Sequence, residues 1–287
     1  MDMNSFFYQT DQLLAEKRLD DAEEYMKKCL RQAEEECDGG AIISICNELG
    51  GLYRALSRYS EGIPLYEKAL RSIRDLGLSG SEHHGTTLVN YATTYTMMGD
   101  VPKALELDTE AAQIFADAGF AMDYRLATLY NNMSFLCVDL GHYEEAETSL
   151  RDALYILNAL DDSEIDVAVT YSNLAGVYLA MNRLEEAKVS VKKALDLFLA
   201  ESGDTDVHYA GAVSTLGAIY FREENWEKAA ALMETALQLT SRDYGEDTQN
   251  YAILSRNLAD CLEKMDRNEE AANWRQKSDA IMERLGL

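Results

Sequence analysis

The sequence predicts an all-α protein built from seven copies of a two-helix unit. Proline occurs only twice in 287 residues, at Pro64 and Pro102, and so few helix breakers in so long a chain favour helices throughout. Small residues recur at steps of 40, 42, 42, 41, 42 and 42 residues. The seven positions of this series, here called the anchors, are Ala22, Gly62, Ala104, Ala146, Ala187, Ala229 and Ala271. A fixed period of this size is typical of repeat architectures.

Three further positions keep the register of the anchors. Twelve residues before them stand Thr10, Gly50, Ala92, Ser134, Ala175, Gly217 and Ala259. Seven residues after them stand Cys29, Ala69, Ala111, Ala153, Ala194, Ala236 and Ser278. Nine residues before them stand Leu13, Tyr53, Tyr95, Cys137, Tyr178, Tyr220 and Leu262. Because large side chains would force two close helix axes apart, the small positions predict helix contacts, and the tyrosines fill the gaps beside them.

Turn and loop residues predict the limits of each helix pair. Gly99 and Gly141 lie five residues before an anchor and indicate the turn between two helices. Pro102 then lies in the first turn of a second helix, where its missing N–H costs nothing. Glycines in 38–40, 77–80 and 244–247 predict loops between units. The predicted repeats are 3–38, 40–79, 82–120, 123–161, 164–202, 206–244 and 247–285.

The combined pattern of small residues, tyrosine and turn glycine resembles the tetratricopeptide repeat over essentially the whole chain. The long period, the runs at 130–133 and 173–178 and the loop at 244–248 resemble the kinesin-light-chain subclass. The resemblance implies a right-handed α-α superhelix of seven helix-turn-helix repeats, a single solenoid over 1–287. It also implies that the first helix of each pair lines a concave groove. Leu13 and Leu262 replace tyrosine in the end repeats, which face water on one side.

The charge balance argues against several classes of partner. Asp and Glu number 51 against 26 Lys and Arg, whereas nucleic acids and anionic membranes attract basic surfaces. The N-terminus lacks the basic start and apolar run of a signal peptide, and no apolar stretch is long enough for a transmembrane helix. The five cysteines form no CxxC pair and fit reduced thiols. We therefore expect a cytoplasmic protein with no nucleic-acid or membrane partner, whose acidic second helices form a solvated convex face.

The resemblance implies that peptides or partner helices lie along the concave groove. Its register places seven residues in the groove, fourteen before each anchor: Tyr8, Glu48, Asn90, Asn132, Asn173, Thr215 and Asn257. Asparagine carries both a donor and an acceptor, so it can pair with any peptide backbone. The alternative is that these asparagines bond to a neighbouring helix or to water. The remaining candidate groove residues are Asn131, Phe135, Arg54, Arg222 and Arg256.

Two properties of these remaining candidates are left open by the sequence. Phe135 is either a central apolar feature of the groove or a packed core residue. The arginines are too few for a clamp of several bases around a C-terminal carboxylate, but each could meet an isolated acidic side chain.

Motifs for enzymatic chemistry are absent from the sequence. No phosphate-binding loop, zinc-protease motif or nucleophile elbow appears, and none of the four histidines has a metal-ligand spacing. We expect no catalytic residue, metal or cofactor, and therefore not an enzyme. The leading hypothesis is an adaptor that binds a peptide or protein segment, and the alternative is a peptide-sensing module acting with a separate output protein. Weak self-association through an end repeat, at Phe6, Phe7 and Tyr8, is a further hypothesis.

Overall fold

The structure, a computed structural model, describes all 287 residues and contains fourteen α-helices and no strand. The helices are α1 (Met3–Ala15), α2 (Leu19–Glu35), α3 (Gly39–Ala55), α4 (Tyr59–Asp75), α5 (Glu82–Met98), α6 (Val101–Phe115), α7 (Tyr124–Asp139), α8 (Tyr143–Leu157), α9 (Glu164–Ala180), α10 (Leu184–Glu201), α11 (Tyr209–Arg222), α12 (Trp226–Tyr244), α13 (Gln249–Lys264) and α14 (Asn268–Leu285). The predicted all-α class with seven successive helix pairs is confirmed. None of the helices is both long enough and apolar enough to span a membrane.

Two compact units divide the chain, Met1–His142 and Tyr143–Leu287. Within each unit, every helix packs against the next one along the chain. Helices α3 and α5 also contact each other in the first unit, as α9 and α11 do in the second. In these two cases the first helices of successive pairs lie side by side. The assignment of 1–287 to one solenoid with the repeat ranges given above stays a proposal.

The anchors lie in the core of each unit, as their size requires. Six of them are alanines that are 0–2% exposed, and the seventh, Gly62, is also buried. A Cβ atom added to Gly62 would lie 3.4 Å from the carbonyl oxygen of Gly50, and one added to Gly50 would lie 2.6 Å from Cζ of Tyr66. The buried ring of Tyr66 on α4 thus occupies the space that a Cβ at position 50 would need, so only glycine fits there.

The same left-handed turn ends the first helix of every pair. The residue five before each anchor has a positive φ in all seven repeats. Gly99 and Gly141 confirm the predicted turns, whereas the other five are not glycine: Lys17, Ser57, Asn182, Glu224 and Asp266. In each case the N–H of the following residue donates a hydrogen bond to the carbonyl oxygen five residues before it, as Arg183 does to Tyr178 at 2.8 Å. This 6→1 hydrogen bond holds the left-handed residue in place.

An ion cluster at Glu23 departs from the predicted solvated acidic face of the second helices. The Glu23 side chain on α2 is only 13% exposed and accepts hydrogen bonds from Arg58 at 2.5 Å, Tyr53 at 3.0 Å and Lys27 at 2.5 Å. The Arg58 guanidinium, with Lys27 and Tyr53, lowers the pKa of Glu23 to about 2 against the opposing effect of burial. This acid joins α2 to the end of α3 and to the turn before α4, so it is part of the packing between repeats.

Candidate ligand-binding face of the first helices

The predicted groove residues lie on first helices and are exposed or half-buried. We call the surface formed by Arg54 on α3, Asn90 on α5 and Asn132 and Phe135 on α7 the unit-1 face. The unit-2 face carries Asn173 on α9, Arg222 on α11, and Arg256 and Asn257 on α13. On the same helices, the positions twelve before the anchors are buried in every repeat. Each first helix thus packs one side into its unit and leaves the predicted face uncovered.

Asn90 is held by a neighbouring helix, which is the alternative that the sequence left open. Its amide nitrogen donates to Oδ1 of Asn47 on α3 at 2.9 Å. The Asn47 amide nitrogen donates to the carbonyl oxygen of Ile43 at 2.9 Å and to Oγ1 of Thr87 at 3.0 Å. The Thr87 hydroxyl in turn donates to the carbonyl oxygen of His83 at 2.8 Å.

Two backbone carbonyls fix the direction of this chain of hydrogen bonds. A carbonyl oxygen only accepts, so Asn47 turns its amide nitrogen toward Ile43 and its oxygen toward Asn90. Asn90 must then turn its nitrogen toward Asn47, and its own Oδ1 and second N–H stay available on the half-buried side chain. Asn47 was missed as a site residue because it lies one residue before the fourteen-before register. Asn131, which lies fifteen residues before its anchor as Asn47 does, was the available signal.

Arg54 is anchored beside Asn90 by the backbone. Its Nη1 donates to the Asn90 carbonyl oxygen at 3.1 Å, an oxygen that also accepts from the Thr94 hydroxyl at 3.1 Å. Its Nη2 lies 4.0 Å from the place that a Cβ on Gly51 would occupy. The guanidinium is therefore folded over Gly51, half-buried on the unit-1 face.

Helix α7 carries the most open part of the unit-1 face. Phe135 is 53% exposed, so it is not a core residue and the groove interpretation of this side chain fits its position. Asn132, one turn earlier, is exposed as well. Asn131 is half-buried and donates to the carbonyl oxygen of Ala127 at 3.3 Å, among other contacts.

The unit-2 face differs in its arginines. Asn173 and Asn257 are half-buried. Arg256 forms an ion pair with Asp279 of α14 across an exposed surface, so its charge is already matched within the chain. Arg222 is exposed and makes no ion pair.

The N-terminal helix corrects the proposed self-association contact. Phe6 is 1% exposed and stacks on Tyr25 of α2, with ring centroids 6.0 Å apart. It is therefore a core residue and unable to meet another molecule. Phe7 and Tyr8 remain exposed, by 38% and 65%.

The buried cysteines occupy core positions. Cys29 and Cys137 are 7% and 2% exposed, as expected for packing residues, and burial raises the pKa of the Cys46 thiol to about 12. No group of three His, Cys, Asp or Glu side chains is arranged to hold a metal ion.

Comparison with known protein families decides the classification. The family model of the tetratricopeptide repeat matches residues 41–117, 125–200 and 209–284, which is more than half of the chain. The chain belongs to the tetratricopeptide repeat family. The limits of these matches lie close to the ends of helix pairs in the structure.

Individual relatives share the fold at low identity. Protein kinesin light chain-related 3 of Arabidopsis thaliana is 23% identical over 155 residues, which are 54% of this chain and 24% of that protein. The chain thus spans about a quarter of the length of this curated relative. Among solved structures, BtubC (BKLC) of P. vanneervenii is 21% identical with a TM-score of 0.62, covering 78% of this chain and 91% of that one. The apo quorum sensor NprR of B. thuringiensis is 15% identical with a TM-score of 0.61, covering 97% and 86%.

Proposed function

We propose that the protein is a non-enzymatic scaffold whose first-helix faces bind a peptide or a segment of a partner protein. Proteins of the tetratricopeptide repeat family mediate protein–protein interaction, which supports this general role. The observation that carries the proposal is Phe135, an aromatic side chain left 53% exposed on the unit-1 face. Large aromatic side chains are costly to leave in water and are frequent energetic centres of protein interfaces.

Polar groups around Phe135 favour an extended ligand. Asn132 is exposed one turn before it and makes no hydrogen bond within the chain, so both its donor and its acceptor are available. Asn90 offers a carboxamide oxygen whose direction is fixed through Asn47. Side chains that both donate and accept suit the exposed N–H and C=O groups of a peptide in an extended conformation.

A pair of baits tests the proposal. The double variant Asn132→Ala, Phe135→Ala should lose a partner captured from the native cytosol by the wild-type protein, as read by mass spectrometry. The matched control is Tyr155→Ala, which removes a 72% exposed aromatic ring from the second helix α8. A partner lost only with the first bait places binding on the unit-1 face, whereas a partner retained by it and lost with Tyr155→Ala would contradict the proposal.

Adaptor and sensor functions remain the two forms of this role. The names of the similar proteins, kinesin light chain and quorum sensor, correspond to these two alternatives. A sensor would act through a separate output protein, which should co-purify in a ligand-dependent manner, whereas an adaptor would join two partners at once. We place both forms in the cytoplasm as part of the proposal.

A further inference from the structure

Arg54 differs from every other half-buried arginine of this acidic chain. Arg58 pairs with Glu23 and Glu61, Arg183 with Glu147 and Glu186, and Arg275 with Asp260 and Glu263. Each of these three guanidiniums thus holds two carboxylates. Arg54 is equally half-buried and holds none, although the chain carries 51 acidic residues.

The one bond that Arg54 makes orients it without neutralising it. Nη1 donates to the Asn90 carbonyl oxygen at 3.1 Å, which is a neutral acceptor on the adjacent first helix. The other N–H groups of the guanidinium have no partner in the chain. Because a carbonyl leaves the positive charge uncompensated, a partly desolvated arginine in this state favours an added anion.

The surroundings leave room for such an anion. Gly51 lies beneath Nη2 and has no side chain to cover it. Asn90, whose backbone carbonyl accepts the Nη1 bond, also carries a side-chain Oδ1 and an N–H without a partner in the chain. A carboxylate can accept two parallel N–H bonds from a guanidinium, a geometry that fits the planar fork of arginine.

We infer that Arg54, with Asn90 beside it, recognises a carboxylate of the bound peptide, either an acidic side chain or the C-terminus. The inference rests on the proposed peptide-binding function and names the group that the unit-1 face selects. This arrangement differs from a clamp of several bases, because a single oriented arginine binds a single carboxylate. Asn47 is a positioning residue in this arrangement, since it holds Asn90 in the orientation described above.

The test is a double-mutant cycle between protein and peptide. A random peptide library with free C-termini is selected on the full-length wild-type protein. Each selected peptide is then made in its parent form, with its acidic side chains converted to amides, and with an amidated C-terminus. Binding is measured by fluorescence anisotropy to the wild type, to Arg54→Gln and to Arg74→Gln. Arg74 is an exposed arginine of α4 without an ion pair, so its variant removes the same charge elsewhere.

We expect one neutralised form to bind the wild type and Arg74→Gln about tenfold more weakly than the parent, as for loss of a charge-assisted hydrogen bond. With Arg54→Gln, parent and neutralised forms should bind equally. The form that causes the loss identifies the side chain or the C-terminus as the source of the carboxylate. Helix content, measured by circular dichroism, confirms that the variant folds, and Arg54→Lys should show an intermediate difference.

Two outcomes overturn the inference in different ways. Carboxylate recognition at Arg54 is refuted if the wild type binds all three peptide forms with equal affinity. It is also refuted if neutralising the peptide lowers its affinity for Arg54→Gln as much as for the wild type. In both cases the proposed peptide binding is left intact. A wild-type protein that selects no peptide from the library refutes the proposed function, and this inference with it.

Discussion

The burial of Asp108 leads us to predict that the stability of the folded protein falls as the pH rises towards 7, which is unusual for an acidic protein. Asp108 lies on α6, four residues after the anchor Ala104, and is 6% exposed without a hydrogen bond or ion pair in the chain. In five other repeats this position is a buried nonpolar or aromatic side chain: Met26, Tyr66, Leu150, Val191 and Met233. A carboxyl group therefore stands in a core position that the rest of the repeats fill with nonpolar side chains or tyrosine.

Burial raises the pKa of Asp108 to about 7 from its ordinary value of 3.8. Since each pKa unit is worth about 1.4 kcal/mol, ionisation of this group costs the folded state roughly 4 kcal/mol at high pH. Between pH 4 and 7 the Asp108 carboxyl group keeps its proton in the folded protein and releases it in the unfolded chain. The contribution of Asp108 to stability is thus greatest below pH 4 and is lost as the pH rises through 7.

The perturbation is Asp108→Asn, which keeps the shape of the side chain and removes its titration. Between pH 5 and pH 8, the wild type should lose roughly 2.5 kcal/mol relative to this variant. The measurement is urea unfolding followed by circular dichroism, with hydrogen exchange of α5–α7 amides to assign the change to the first unit. Asp75→Asn, at an exposed position of α4, is the control and should follow the wild type at both pH values.

A difference in stability between Asp108→Asn and the wild type that is the same at pH 5 and pH 8 would refute the raised pKa of Asp108. That result would mean that the carboxyl group ionises in the folded state as easily as in water. Asp108→Leu extends the test, because it restores the side-chain type of Leu150 and should stabilise the protein most above pH 7.

Three further predictions concern single side chains. Glu224→Gly should raise the free energy of unfolding, measured in urea, by about 1 kcal/mol, because Glu224 has φ 60° and glycine adopts this conformation without strain. Glu224→Ala should not raise it. Tyr66→Phe should be neutral or stabilising, since the buried Tyr66 hydroxyl has no hydrogen-bond partner. Tyr53→Phe should cost about 1 kcal/mol of stability by removing the hydrogen bond to Glu23. Equal losses for the two variants in thermal unfolding would contradict this prediction. Glu23→Gln should lower stability much more near pH 7 than near pH 2. Arg58 lowers the pKa of Glu23 to about 2, so the stabilising effect of this carboxylate is lost as the pH falls from about 4.5 through that value. A loss of the same size at both pH values in urea titrations would refute this prediction.

The helix pairs were predictable because their causes are local and repeated. Small residues at a period near 42 recur wherever helix axes come close, and the structure buries the anchor in every repeat. The turns were predictable where glycine occupies the left-handed position, as at Gly99. At Lys17 and Glu224 the same turn forms without glycine, because the 6→1 hydrogen bond imposes a positive φ on residues that have no preference for it.

The placement of the candidate residues on first helices was predictable from the sequence, but their hydrogen-bond partners were not. The register placed Asn132 and Phe135 on first helices, and the structure leaves both exposed. It did not indicate that one N–H of Asn90 bonds to Asn47, or that Phe6 faces the core. A register specifies which side of a helix a residue occupies, whereas hydrogen-bond partners depend on the distance to a helix that is remote in sequence.

The sequence by itself therefore determined the class of fold, the number of helix pairs and the residues at their contacts, because periodicity and residue size act within each repeat. Only the tertiary structure decided which charges are matched and which are not. Arg54 meets a carbonyl 36 residues away and Arg58 meets a carboxylate 35 residues away. The two arginines are four residues apart, and the packing of one helix pair on the next directs one to a backbone oxygen and the other to an acid.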